Sequence, residues 1–379
     1  MSAAARAFAA LAAVLTLAAV AAPAVHAARG QSLSLTAGLS SFYDDNFLQY
    51  SDGQLRDFDQ SLHPDRYAIR TRDDLVVNPS LSLGWELDRG HGRRHALRLK
   101  GEGDFHDRNG NADFHSLSVG WREFWSRNRR LSASYYVLPR YYLRQLFDDD
   151  FVPAFPGLSK YRRADFSLQI ASAAWTQRLT RSVLVDLGYQ YEHRDYNHEF
   201  DERDSRLHQG QVGLHFVRLP RRGSLSLDGG YRVSRARAED ADLAEPVPDP
   251  DVSFHGLNLG VGGRMEFARS GAWRLLGDLG YALETRTYDS NRPTDKYHFG
   301  RHDLLNAVEI GLRSAYRPHW SLRAYDRLEH NTATLGAAAP LSADAGSYHA
   351  NQVGLALEWT GGLWTQAGAA PEEETEGPP

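Results

Sequence analysis

Polar and apolar residues alternate one by one through most of this chain. Leu33, Leu35, Ala37 and Leu39 share one parity, while Ser34, Thr36, Gly38 and Ser40 share the other. The same pattern sets Leu81, Leu83, Trp85 and Leu87 against Ser80, Ser82, Gly84 and Glu86, and Leu257, Leu259 and Val261 against Asn258 and Gly260. Near the end, Val353, Leu355, Leu357 and Trp359 alternate with Gln352, Gly354, Ala356 and Glu358. Successive side chains of a β-strand point to opposite faces, so each run predicts a strand between two unlike environments. About fourteen such runs follow one another, each close to the 9–11 residues that cross a bilayer at a tilt.

The connections sort into two kinds. Short polar turns (DRGHGRR, SRNRR, LTRS, LPRRG, ARSG, RPH) alternate with long segments at about 44–72, 145–164, 237–252, 287–303 and 331–347, and with middling ones near 107–113 and 195–206. Short turns at one end and long loops at the other are what an up-and-down transmembrane barrel requires. Aromatic residues of the apolar parity gather near strand ends. Trp85, Trp121, Phe216, Phe267, Trp273, Tyr316 and Trp359 lie by the short turns; Tyr43, Phe105, Tyr141, Phe166, Tyr191, Tyr231 and Tyr281 lie toward the long loops. Two belts of amphipathic rings are expected at the two interfaces of a membrane.

The opposite parity carries Arg98, Lys100, Glu102, Arg122, Arg140, Asp186, Asp228, Arg232, Asp278, Glu284, Glu309, Arg313 and Arg323. A dry core does not tolerate that many charges, and each Arg or Lys turned to lipid at mid-depth costs about 2–4 kcal/mol. One face is therefore wet and the other oily. The fold class that follows is all-β: a transmembrane, up-and-down antiparallel β-barrel of about fourteen strands, with these charged residues lining the lumen. The mean hydropathy of −0.51 fits, because only half of each strand is apolar.

The two ends differ from the middle. After Arg6 comes the apolar run AFAALAAVLTLAAVAAPAV and then VHA, a small-x-small pattern ending at Ala27. This reads as a removable secretory leader over 1–27, the alternative being a retained anchor. The barrel is expected over 28–360 and an acidic, Pro-rich periplasmic tail over 361–379. Four of the acids behind the net charge of −5 (Glu372, Glu373, Glu374, Glu376) lie in that tail, so the remainder has no basic excess to suit nucleic acid. Cysteine is absent, which excludes disulfides and thiolate metal sites.

This assembly resembles the outer-membrane β-barrel proteins of Gram-negative bacteria over nearly all of the mature chain. Such barrels commonly close on a strand of the form polar-x-Gly-x-x-apolar-x-apolar, read by the barrel assembly machinery. Gln352, Gly354, Leu357 and Trp359 fit those positions, although about twenty residues follow them; an ordinary last strand is the alternative. FYDDNFLQYSD (Phe42 to Asp52) is similar to the start of several poorly characterised barrels, among them the barrel part of surface-lipoprotein assembly modifiers, whose helical-repeat domain has no counterpart here.

The resemblance implies residence in the outer membrane, among lipid and lipopolysaccharide. Fourteen strands lie nearer the open end of the barrel series than the filled one, so the leading reading is a passive channel for small hydrophilic solutes, with no cofactor. A secretion or assembly barrel and an adhesion or structural barrel are the alternatives. An enzyme has the least support, since no Ser-His or Asp-His arrangement is discernible. The segment 145–164 is the candidate constriction: folded inward, Asp148, Asp149 and Asp150 would oppose Arg140 and Arg144 in the lumen, whereas on the surface they would be solvated or bridged to lipopolysaccharide by cations. Tyr136 and Tyr142 are candidate lumen platforms for sugars, or else pack beneath a loop. In EHRDYNHEFDERD (Glu192 to Asp204), a metal site at His193, His198, Glu199 and Asp201 competes with a solvated loop. An oligomer is compatible with all of this, and no residue marks an inter-barrel face.

Overall fold

The computed structural model describes residues 30–148, 159–240, 251–291, 295, 297–317, 319–335 and 346–365. The leader and the residues after 365 lie outside that range. Alternation folds as expected, into β1 (Gln31–Asp44), β2 (Asp74–Asp88), β3 (Arg94–His106), β4 (Phe114–Ser126) and β5 (Arg129–Phe147). Then come β6 (Tyr161–Arg178), β7 (Val183–Tyr196), β8 (Ser205–Leu219), β9 (Gly223–Ala236) and β10 (Phe254–Ser270). The last four are β11 (Trp273–Tyr288), β12 (His302–Tyr316), β13 (Trp320–Thr334) and β14 (Tyr348–Thr365). Each pairs antiparallel with its neighbours in sequence, and β1 pairs with β14 to close the ring. Closure leaves no edge strand with unpaired backbone groups, the condition for a sheet to sit in lipid. Among the described residues no helix is long and apolar enough to cross a membrane.

Register puts the apolar parity in continuous rows around the outside. Leu83 faces Leu99, Leu99 faces Val119, and Val119 faces Tyr135. Leu99, Val119, Tyr135, Leu187, Leu259, Ile310 and Leu355 are among the many large apolar side chains left exposed on this surface. In water that would be an aggregation liability; in a bilayer it is the contact surface. At the short-turn end Trp273 meets Tyr316 with centroids 4.7 Å apart, and Trp320 meets Trp359 at 6.4 Å. The turn after β2 shows how a short connection is made: Gly90, His91 and Gly92 all have positive φ, a region glycine enters without steric cost.

The closing strand runs on past Trp359. A register shift opposite Leu33 and Ser34 accommodates Leu363, so that Ser32 still pairs with Thr365. The apolar furrow in the outer wall, about 1310 Å³, is lined mainly by outward residues such as Gly263, Gly277, Ala324 and Ile310, and one of them is charged: Asp326. It faces outward from β13, directly between Ile310 and Val353.

Candidate functional site: the lumen wall and its cap

The inward parity is polar and dense with ion pairs. On β11–β13, Arg323 reaches both Glu309 (2.5 Å) and Asp278 (3.5 Å), while Arg264 on β10 takes the other oxygen of Asp278 at 2.6 Å. Arg313 sits beside Arg323 in register, within this group. On β9 and β11, Arg232 and Arg286 both engage Glu284, and both guanidiniums lie over the ring of Phe254. Lys100 pairs with Glu102, and Arg98 donates to Ser82 at 2.6 Å. The His215 ring lies 2.8 Å from the Asp186 carboxylate and 4.0 Å from that of Asp228. Arg122 is exposed on the inward row of β4. Pairs of this kind in a watery lumen are worth about 0–1 kcal/mol each. Their consequence is for the width and field of the passage rather than for stability. Only Lys100, Lys160 and Lys296 are lysines among the 43 basic residues, and arginine's rigid fork suits shared carboxylates better than an ammonium does.

Four placements differ from the sequence expectation: three come from two bulges in β5, and the fourth, Phe166, shares the inward parity of Leu168 and Ile170 on β6. Register shifts between Leu138 and Tyr141, and again between Tyr142 and Arg144. One extra residue flips every side chain beyond it to the other face. Arg140 therefore does not line the lumen: it is exposed within the first bulge and clamps Asp165 at 2.8 Å, which Arg163 holds from the other side. Tyr141, expected in the outer belt, turns inward together with Phe166. Phe114, Tyr141, Phe166 and Tyr196 then form a row of rings across β4–β7, with centroids 5.1–5.4 Å apart. Tyr136 stays on the inward row, opposite Ser118, but Tyr142 leaves it for a small hydrophobic core above.

That core belongs to the first long loop. Its helix α1 (Asp52–Asp59) starts at Ser51, whose side chain accepts from the backbone of Gln54 while Gln54 reaches back to the backbone of Ser51. Leu48, Tyr50, Tyr67 and Ala112 bury against Tyr142, with Phe47, Leu55, Phe58 and Ile69 packed around them. Burial pushes the hydroxyl of Tyr67 up to about 12. The segment 46–50 crosses the mouth, as its partners show. Asn46, 2 % exposed, donates to Tyr50 O and to His349 O, both at 2.8 Å, and accepts from Tyr50 N. Phe47 meets His106 of β3, Leu48 O accepts from Arg144 of β5, and Gln49 donates to Glu329 of β13. Gln49 has φ +54°, a strained value for a side-chain-bearing residue, held by this web of contacts.

Arg144 thus meets the first loop. It donates to Leu48 O at 2.8 Å and lies 5.0 Å over the ring of Tyr50. The hairpin β5–β6 continues through pairs as far as Phe147 and Tyr161, and Asp148 extends it through its backbone to Lys160 O. Asp149 and Asp150 lie outside the described residues. At the closing seam Gln352 faces inward and donates to Asp44 at 2.8 Å, Gly354 packs under Tyr325, and Leu357 and Trp359 face outward beside Leu39 and Trp320. In the 195–206 loop, Asp201 pairs with Arg237 and Glu199 accepts from Asn197. Among the described residues no three His, Asp or Glu side chains converge in a metal-binding group.

No family model and no curated protein matches the chain. It is similar to a solved bacterial polysaccharide outer membrane secretin at 9% identity and TM-score 0.42, covering 88% of this chain and 99% of that one. It is also similar to the outer membrane channel DcaP of Acinetobacter baumannii, at 13% identity and TM-score 0.45, over 88% and 98% of the two chains. For the outer membrane protein OprD from Pseudomonas aeruginosa the values are 9% and 0.38, over 89% and 96%.

Proposed function

We propose that this protein is a passive channel for small hydrophilic solutes in the outer membrane, narrowed on its long-loop side by residues 46–72. The observation that carries the reading is the sorting of the two faces. A closed ring with lipid-compatible rows outside and arginine–carboxylate groups inside separates water from hydrocarbon. At the level of the cap the lumen is also asymmetric. Asp44, Asp104 and Glu329 stand on β1, β3 and β13, and of these Glu329 has Arg327 at 3.0 Å. Across the ring, Arg194, Arg232 and Arg286 stand on β7, β9 and β11 and share Glu192 and Glu284. With both signs present the net selectivity is weak, and the field runs across the passage.

On this reading the short turns face the periplasm, the leader 1–27 is removed on export, and the lumen row from Arg98 to Arg323 meets the solute. The closing strand, through Gln352, Gly354, Leu357 and Trp359, is the part that assembly machinery would read. Single-channel recording of the purified protein in planar bilayers tests the function. Discrete openings are expected, and a silent protein at every pH and voltage overturns the reading. Removal of 46–72 is expected to raise conductance several-fold. Removal of 147–156 is expected to leave it nearly unchanged, and the reverse result returns the constriction to that loop.

A further inference from the structure

Beneath the cap lies a small cavity of about 140 Å³ that the channel reading does not use. Five aromatic rings line it: Phe42 of β1, Phe47 of the cap, Phe114 of β4, and Tyr141 and Tyr142 of β5. Two carboxylates, Asp44 and Asp104, share the lining with them. Among the described residues neither has an arginine or lysine partner. Asp44 accepts from Asn46 N at 2.9 Å and from Gln352 Nε2 at 2.8 Å, and Asp104 accepts from Asn78. Amide donors cancel none of the negative charge. Arg144, nearby on β5, is turned to Leu48 O and the Tyr50 ring. His106, the remaining titratable group of the lining, has its Nδ1 3.6 Å from Asp113.

Ring faces and carboxylates attract the same kind of ligand. The faces carry negative quadrupole potential, and cations over them are held more firmly once desolvated. Tyr142 adds an independent observation: it is 2 % exposed, and its hydroxyl has no hydrogen-bond partner among the described residues, which leaves the partial negative charge of its oxygen to be met by a cation. Size fits too, since a cavity of about 150 Å³ accommodates a molecule as large as benzene. We infer that this cavity is a binding site for an alkylammonium group, a trimethylammonium headgroup or one of similar bulk, held between the aromatic rings and the carboxylates of Asp44 and Asp104. The cap segment supplies one wall through Phe47.

The site does not require the channel to conduct, so it is tested by equilibrium binding to the full, detergent-folded protein. The probes are choline and its uncharged isostere 3,3-dimethyl-1-butanol, titrated by calorimetry. Choline is expected to bind saturably, and the isostere at least tenfold more weakly. Asp104→Asn is expected to weaken choline at least tenfold. Phe47→Leu does the same from the cap side and keeps the test open if the strand variant fails to fold. Absence of saturable choline binding, equal binding of the isostere, or unchanged affinity in both folded variants overturns the inference. A conductance of zero with choline binding intact would remove the channel reading alone.

Discussion

Gly354 on the closing strand lies directly under the ring of Tyr325 on the strand beside it: a β-carbon at Gly354 would stand 2.6 Å from Cζ of that ring. The two residues are register partners, and both face the lumen beside the seam where β14 meets β1. The glycine of the closing-strand pattern therefore has a local reason to be there.

Gly354→Ala forces the Tyr325 ring out of its place and is expected to lower stability by about 1–3 kcal/mol, the usual range for overpacking. Removal of the ring in Tyr325→Ala makes room, so the double variant is expected to lose clearly less than the sum of the two single ones. Urea unfolding in lipid vesicles measures both. Strict additivity would show that the ring is not what requires the glycine.

The cap is held at Asn46 more than anywhere else along 46–50. Its side chain makes three hydrogen bonds at 2.8 Å, to both backbone groups of Tyr50 and to His349 O of β14. Asn46→Ala leaves buried backbone groups without partners, a local cost of about 1–3 kcal/mol. Faster amide exchange over 46–60 and a higher or noisier conductance are expected. Exchange unchanged in that segment would mean that the loop is held by its hydrophobic core alone.

Asp326 is an outward carboxylate in the apolar wall, between Ile310 and Val353. A lipid-facing Arg or Lys costs about 2–4 kcal/mol at the midplane, and an Asp less. Asp326→Leu is accordingly expected to stabilise the folded barrel by about 1 kcal/mol in vesicles. Destabilisation instead would indicate that the carboxylate has a partner in the assembled membrane.

The loop between β11 and β12 contains a buried pair. Asp295 accepts from the backbone N–H groups of Asp251, Tyr297 and His298 at 3.0–3.2 Å, and its carboxylate lies 3.1 Å from His298 Nδ1. Burial holds the His298 imidazole below its ordinary value, against the pull of the Asp295 carboxylate. Burial would raise Asp295, but the hydrogen bond from His298 and the other donors outweigh it, and the carboxyl sits below its ordinary range. Both groups thus bind protons less readily folded than unfolded. Their contribution to loop stability is present above about pH 6.5 and declines as the pH falls. Amide protection over 289–303, corrected for intrinsic exchange, is expected to drop between about pH 7.5 and 5.5. His298→Gln is expected to remove much of that dependence, and Asp295→Asn, which takes away the carboxylate that raises His298, is expected to keep it. Protection that rises on acidification would reverse the sign.

The alternation of Leu33 to Ser40, or of Gln352 to Trp359, was enough to specify strands, their two faces and the ring. A period of two is a local property, and only a membrane barrel satisfies an oily parity and a charged parity together. Loop lengths, read directly from the spacing of strands, separated the two ends for the same reason. FYDDNFLQYSD was conspicuous in the sequence, yet nothing local shows that Asn46 would reach His349, more than 300 positions away.

What only the tertiary structure decided begins with the two bulges of β5, which turned Arg140 out and Tyr141 in. A bulge is set by the partner strand, and one extra residue reverses faces without any mark in the alternation itself. That the first loop caps the mouth depended on which apolar side chains of 46–69 could bury against Tyr142 and Ala112. The cavity lined by Phe42, Asp44, Asp104 and Tyr141 likewise joins residues of six strands and two loops. Local patterning fixes which way a side chain points. What it meets there is a matter of closure, register and packing between residues far apart in the chain.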